Sequence, residues 1–262
     1  MNQRVGIGSQ RDTVAHVAIQ TQGQAGPSLV KGARAARTTI ALKIMMASSG
    51  IIFILFVLAH MYGNLKAFQG QQAYDEYAAG LRTIGTPELP PHGLLWIMRA
   101  VLIVALVVHV ACAAILASRA AKARPVKYQV KKNKGSSFSS RTMRWGGVTI
   151  LLFVIWHLLE FTIVKINVGA GGQQANITND PFELLIHAFK GEAWWMAIIY
   201  FLAMAALALH LHHGTFSSLQ TLGWTNSARS RQNARIAGWV LAVVIAGGFS
   251  LVPFFTLVGV IK

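Results

Sequence analysis

Five segments of about 20 apolar residues each constrain the fold of this chain more than any other feature. About 20 residues of helix cross the hydrocarbon core of a bilayer, and such segments must be helical because their backbone groups find no water in lipid. Only 12% of the 262 residues are charged, against about 25% in soluble domains. The predicted spans one to five cover residues 44–65, 94–117, 145–164, 194–216 and 236–261. The sequence therefore predicts an all-α transmembrane bundle of five helices.

The basic residues predict the orientation of this bundle. The formal net charge is +16, and eighteen of the 24 Lys and Arg residues lie in three regions, 1–43, 118–144 and 215–235. Most of the acidic residues lie in the other two connections, 66–93 and 165–193. By the positive-inside rule, the N-terminus is cytoplasmic and the C-terminus is outside. Because topology accounts for the charge, we expect contact with the lipid bilayer and none with nucleic acid.

Two further features define the domain organisation and limit the chemistry. Residues 1–40 are polar and lack the apolar stretch of a signal peptide, which predicts a cytoplasmic tail before a bundle at 41–262. Pro253 is expected to kink span five without ending it. The one cysteine, Cys112, excludes a disulfide framework and a metal site built only from thiolates of this chain.

Histidines occur on four successive predicted spans. Ionisable residues at membrane depth are costly, and they mark functional sites by default. One bonded imidazole would be unremarkable, but one on each of four spans indicates a shared role. These residues are His60, His109, His157 and the cluster His210, His212 and His213.

The depths of these histidines sort them into two pairs. At about 1.5 Å per residue, His60 and His157 lie about 25 and 20 Å from the cytoplasmic ends of their spans. His109 lies about 15 Å from its cytoplasmic end, and His210 lies nearer still. We call His60 and His157 the outer pair, and His109 with a histidine of span four the inner pair. Two imidazoles from facing helices at one depth suit a six-coordinate haem, so the pattern predicts two stacked haems.

Four stretches carry a resemblance to a known family. They are HMYGNLKAF at 60–68, followed by Tyr74 and Tyr77, HGLLWIMR at 92–99, SRTMRWGG at 140–147 and LHLHHG at 209–214. In this order, over residues 40–260, the chain resembles the single-chain cytochrome b membrane anchors of bacterial succinate:quinone oxidoreductases. These complexes are the succinate dehydrogenases and fumarate reductases.

The resemblance implies a set of cofactors and partners. It implies two haem b groups, with His60 and His157 ligating one and His109 and a span-four histidine ligating the other. The His-Gly pattern of the family points to His213 as the fourth ligand, whereas depth favours His210. The resemblance also implies a quinone, with menaquinone favoured, and flavoprotein and iron–sulfur subunits on the cytoplasmic face of a bacterial inner membrane. The chain would then be an enzyme subunit without a succinate-oxidising site of its own, and a further small membrane subunit fits the same scheme.

Polar side chains elsewhere in the spans and connections are candidates for the quinone site. Quinone reduction needs hydrogen-bond donors at membrane depth with access to water. The candidates are Ser48 and Ser49 on the cytoplasmic side, and Tyr74, His92 and Glu160 on the outer side. The two serines are equally well explained by close helix packing, and Glu160 by an ion pair with Lys165. Arg99, inside span two, is a candidate for binding a haem propionate, with snorkelling to the interface as its alternative.

Three other functions remain open from the residues. Two of the histidines can ligate a Rieske-type [2Fe–2S] centre with Cys112, which follows His109 by three residues, and a thiolate from a partner. The chain can also be the cytochrome b subunit of another respiratory dehydrogenase, such as a hydrogenase or a formate dehydrogenase. A proton-coupled transporter would use the histidines as proton relays and would carry no chromophore.

Overall fold

All five predicted spans are helices in the computed structural model, which describes residues 38–123, 137–163 and 180–262. In chain order the helices are α1 (Thr39–Leu65), α2 (Gln71–Thr83), α3 (Gly93–Lys122), α4 (Phe138–Phe161), α5 (Pro181–His187), α6 (Trp194–Thr221) and α7 (Ala228–Leu257). Helices α1, α3, α4, α6 and α7 are each long and apolar enough to cross a membrane. Within these ranges there is no strand, and the prediction of an all-α bundle with five spans is confirmed.

Helices α1, α4 and α7 begin before the predicted apolar segments, and a polar side chain caps the start of each. Helix α7 begins at Ala228, before the predicted residue 236, where Ser227 and Ser230 form a reciprocal capping box. At the start of α1, the Ala41 N–H donates to Thr38 Oγ1 at 3.1 Å. The last two residues of the predicted tail 1–40 therefore belong to α1. Residues 1–37 lie outside the described part of the chain. Pro253 lies inside α7, which continues to Leu257 as expected.

Two short helices lie in connections that were predicted only as loops. Helix α2 follows a 3₁₀ turn at Lys66–Gln69, and α5 precedes another at Gly191–Ala193. The two helices are joined by the Asp75 carboxylate, which accepts from the Phe182 N–H at 3.1 Å, and by the Tyr74 and Phe182 rings, 5.9 Å apart. The membrane helices are therefore covered at one end by two short helices, and the apolar side chains of α5 are buried there.

Helix α6 is the central element of the bundle. It packs against α1, α4 and α7, while α1 also packs against α3 and α7. Neither α1 with α4 nor α3 with α6 is among the closely packed helix pairs of the described residues. The two helices of each combination are joined instead by contacts between side-chain rings.

Side-chain contacts define the two ends of the bundle. At the Thr39 end, Arg119 Nη1 donates to Thr39 Oγ1 at 3.1 Å, so α3 ends where α1 begins. At the Tyr74 end, the Trp156 and Trp195 rings lie 6.3 Å apart, so α6 begins near the last residues of α4. Phe68 and Phe255 also meet at the Tyr74 end, with ring centroids 5.4 Å apart. Helices α1, α4 and α7 therefore run in one direction, and α3 and α6 in the other.

The outward faces of all five long helices are apolar. One branched side chain on each is nearly two-thirds exposed in the isolated chain: Leu55, Val104, Leu152, Leu202 and Val243. Exposed apolar surface on this scale is typical of a protein whose solvent is the bilayer. The chain is a multi-pass membrane protein.

Candidate cofactor site

The outer pair is formed by side chains of α1 and α4. The ring centroids of His60 and His157 lie 5.8 Å apart, with the ring planes at 76°. Aromatic side chains surround both imidazoles: Phe56 and Phe249 pack on His60, and Phe153 and Phe161 pack on His157. The pair is therefore enclosed in an apolar environment, with little water to hydrate a charge.

A tyrosine of α6 holds one member of the outer pair. Tyr200 Oη lies 3.0 Å from His157 Nδ1, and its side chain is buried. Glu160, one turn beyond His157, is 1% exposed and lies close enough to Tyr200 for an electrostatic interaction. Lys165, its predicted ion-pair partner, lies outside the described residues.

The inner pair is formed by His109 of α3 and His210 of α6. Their ring centroids lie 6.2 Å apart, with the planes at 52°. His210 Nδ1 is buried without a hydrogen bond among the described residues. The family pattern points to His213, but the ring that packs on His109 is that of His210. The geometry thus favours His210 as the fourth member.

A serine of α1 holds one member of the inner pair. Ser49 Oγ lies 3.1 Å from His109 Nδ1 and donates to the carbonyl oxygen of Met45 at 2.9 Å, or of Met46 at 3.1 Å. Ser49 is 4% exposed. Because the hydroxyl of Ser49 already has hydrogen-bond partners inside the protein, Ser48 is favoured over Ser49 as a quinone-binding residue.

Two glycines show how far apart the two pairs lie. A Cβ atom built on Gly50 would lie 3.5 Å from His109 Cε1, and one built on Gly147 would lie 3.7 Å from His210 Cε1. Each glycine precedes a member of the outer pair by ten residues on the same helix, Gly50 before His60 and Gly147 before His157. Ten helical residues rise about 15 Å, so α1 and α4 independently give the same separation between the two levels.

The spacing within each pair fits a metal held between two imidazoles. Imidazole nitrogens ligate first-row metals at about 2 Å, so two rings on opposite sides of one metal have centroids about 6.4 Å apart. The two observed separations are 5.8 and 6.2 Å. Each pair also joins helices that do not pack closely on each other. The residues present therefore fit a bis-histidine haem at each level.

His212, the middle histidine of the span-four cluster, packs against other helices. The His212 ring stacks on Trp239, with centroids 4.2 Å apart, and its Nδ1 lies 3.0 Å from Ser139 Oγ. His212 thus ties α6 to α7 and to the first turn of α4. This contact explains one of the three clustered histidines without a cofactor.

The structure separates the predicted quinone residues. Ser48 is exposed and lines a groove of ≈ 550 Å³ between α1 and α3, with Ser49 at its inner wall. Tyr74 packs at the opposite end, where burial, with smaller contributions from Asp75 and Tyr77, raises its pKa to about 12. His92 is exposed at the start of α3, with a left-handed φ of 67°. These candidates do not form one site.

Arg99 lies near the Tyr74 end of α3. Its guanidinium carbon is 4.9 Å from the centroid of the Trp96 ring, and both side chains are exposed. Ten residues separate Arg99 from His109, so Arg99 lies at the level of the outer pair. This location agrees with either of its predicted roles.

Cys112 is buried in α3 and is a free thiol. In the described ranges, no group of three or more His, Cys, Asp or Glu side chains is arranged to hold a metal ion. A Rieske centre takes four protein ligands, whereas a haem takes only two axial ones. Each histidine pair can supply the two axial ligands of a haem from this chain alone.

Sequence reasoning missed Tyr200 and Gly50. The repeated spacing of a glycine ten residues before a histidine, on spans one and three, was the available signal for Gly50. Tyr200 likewise precedes His210 by ten residues and was visible only as an aromatic residue in an apolar segment.

Comparisons with known proteins found no match among family models, curated proteins or solved structures.

Proposed function

We propose that this chain is the di-haem membrane anchor of a succinate:quinone oxidoreductase, which accepts electrons from an iron–sulfur subunit and delivers them to a membrane quinone. The observation that carries the redox part of the proposal is the presence of two cross-helix histidine pairs, one above the other. The specific complex is proposed from the sequence resemblance.

The donor set supports haem over other uses of these histidines. Four imidazoles at membrane depth are costly to bury without partners, and ligation offsets this cost. Bound haem would supply a one-electron redox centre at each level.

The separation of the levels supports electron transfer across the bilayer. The two levels lie about 15 Å apart along the helices, which is half of a hydrocarbon core of about 30 Å. The residues of the inner pair lie on the side of the Thr39 end, and those of the outer pair on the side of the Tyr74 end. Two centres at these depths would span about half of the hydrocarbon core.

The charges at the two ends support a partner on the cytoplasmic face. The described basic residues at the Thr39 end are Lys43, Arg119, Lys122, Arg141, Arg144, Arg229, Arg231 and Arg235. The Tyr74 end carries the acidic residues Asp75, Glu76, Glu88, Asp180 and Glu183. By the positive-inside rule the Thr39 end is cytoplasmic. The iron–sulfur subunit, with its flavoprotein, would dock there, close to the inner pair.

The groove between α1 and α3 supports a quinone site near the inner pair. Its lining is apolar apart from the two serine hydroxyls, and it lies on an outer face of the bundle. Ser48 can donate a hydrogen bond to a quinone carbonyl, while an isoprenoid tail extends into lipid. Ser49, which lines the same groove, contacts His109 directly. A quinone headgroup there would lie next to an inner-pair ligand.

The test uses the complex purified from its native membrane. Subunits that copurify are identified by mass spectrometry, and succinate, hydrogen and formate are each added to the oxidised sample. We expect a flavoprotein and an iron–sulfur protein, and a b-type absorption band that succinate alone reduces. Reduction by hydrogen or formate would assign the chain to another respiratory dehydrogenase. A preparation without chromophore that couples solute uptake to protons would identify a transporter.

A variant control separates the proposed ligands from histidines in general. His60→Ala should abolish part of the succinate-reducible absorption, because it removes one outer-pair imidazole. His187→Ala is the matched control, since His187 lies in α5, outside the membrane spans, where its Nε2 lies 3.3 Å from Glu183 Oε2. The full absorption should remain in this control.

A further inference from the structure

Each histidine pair has one member whose Nδ1 faces a hydroxyl group of the protein. His109 Nδ1 faces Ser49 Oγ at 3.1 Å, and His157 Nδ1 faces Tyr200 Oη at 3.0 Å. The hydroxyls come from helices other than those of the histidines they touch. The same arrangement thus occurs twice, once at each level.

The hydrogen bonds of Ser49 decide the direction of the bond to His109. A serine hydroxyl has one proton to donate. Ser49 Oγ lies 2.9 Å from the carbonyl oxygen of Met45 and 3.1 Å from the carbonyl oxygen of Met46. A carbonyl oxygen can only accept, so the Ser49 proton is directed to the helix backbone. The bond to His109 then needs a proton on Nδ1, and the lone pair of this imidazole lies on Nε2.

The bond to Tyr200 has the same outcome once His157 is a ligand. A neutral imidazole that ligates through Nε2 carries its proton on Nδ1. The phenol oxygen of Tyr200 can accept a hydrogen bond from this N–H. Tyr200 is buried and is packed edge-on against Phe153 and Phe189, at 4.8 and 4.9 Å between ring centroids. The phenol is therefore held in place independently of the imidazole.

We propose that Ser49 and Tyr200 are positioning residues that set the redox potentials of the inner and outer centres separately, by accepting a hydrogen bond from Nδ1 of one ligand in each pair. This inference rests on the proposed haem function. An acceptor at Nδ1 orients the ring and makes it a more basic ligand. A more basic ligand stabilises the oxidised iron, so each hydroxyl lowers the potential of its own centre and leaves the other unchanged.

The test is a redox titration of the purified holoprotein, followed by optical absorption and by electron paramagnetic resonance. Ser49→Ala should raise the midpoint potential of one centre, and Tyr200→Phe should raise that of the other. The low-spin resonance of the affected haem should shift in each case, while both haems stay bound. Ser49→Thr keeps the hydroxyl and should restore the native potential, which a purely structural role would not require.

A matched control removes a serine-to-backbone hydrogen bond that does not involve a histidine. Ser250 Oγ donates to the Ala246 carbonyl oxygen at 2.7 Å within α7, so Ser250→Ala loses the backbone bond and should leave both potentials unchanged. The inference is overturned if Ser49→Ala and Tyr200→Phe move the same centre, or if neither moves any. Absence of haem from the native protein would instead overturn the proposed function itself, and this inference with it.

Discussion

The choice between His210 and His213 gives the sharpest prediction about the inner pair. His210→Ala removes the ring that lies 6.2 Å from the His109 ring. His213 lies three residues further along α6, which places it about 4.5 Å closer to the Thr39 end and about 60° around the helix axis. It cannot occupy the same position without a shift of the helix. His213→Ala is therefore the matched control within the same turn.

The expected magnitude follows from the number of pairs. The structure has two pairs, and His210→Ala leaves the outer pair complete. Haem content should fall from two per chain to one, and the reduced-minus-oxidised α-band should fall to about half. Alanine is the best helix former, so α6 should persist. His213→Ala should keep both haems and the full band.

The assay is haem quantification per chain on the two purified variants, with circular dichroism to check helix content. Haem loss in His213→Ala and retention in His210→Ala would refute the geometric assignment and restore the family pattern. Loss of both haems in His210→Ala with native helix content would contradict the independence of the two levels.

Three further predictions concern other parts of the molecule. Gly147→Leu should cost the inner haem, because its side chain fills the space beside His210, whereas Gly247→Leu, with nothing within 4 Å of its Cβ position, should keep both haems on quantification. Burial, with the neighbouring carboxylates, raises the pKa of Asp75, so the folded state holds this proton more tightly and loses that stabilisation as pH rises. Asp75→Asn should therefore melt higher than the native protein at neutral pH, with a difference that narrows on acidification; a difference that widens would refute this. Ser48→Ala should raise the quinone KM about fivefold, for one hydrogen bond of about 1 kcal/mol, and an unchanged KM would remove the groove as the quinone site.

The membrane helices were predictable because a bilayer imposes a simple rule. A run such as 94–117 can only be a helix in lipid, and α3 covers it completely. The first residues of the helices were harder to predict, because capping residues such as Ser227 lie in polar sequence outside the apolar run. Helix α2 was missed although Tyr74, Tyr77 and Leu81 follow a helical spacing, since attention to apolar length overlooks short amphipathic helices.

The candidate site was predictable in its levels and less so in its contacts. The depth of a residue is linear in its position along a helix, so the pairing of His60 with His157 follows from counting. The choice within the span-four cluster depends on rotation around the helix and on neighbours, and His212 is occupied by Trp239 for reasons that no local pattern contains. Tyr200 reaches His157 from another helix, and only the packed bundle brings them together.

The central claim is that the two histidine pairs each hold a haem. The most direct measurement is the haem b content of the purified native protein, by pyridine haemochromogen absorption against protein concentration. The account predicts two haems per chain, with a b-type α-band in the dithionite-reduced spectrum. A fully folded protein with no haem, and a featureless reduced-minus-oxidised spectrum, would contradict it.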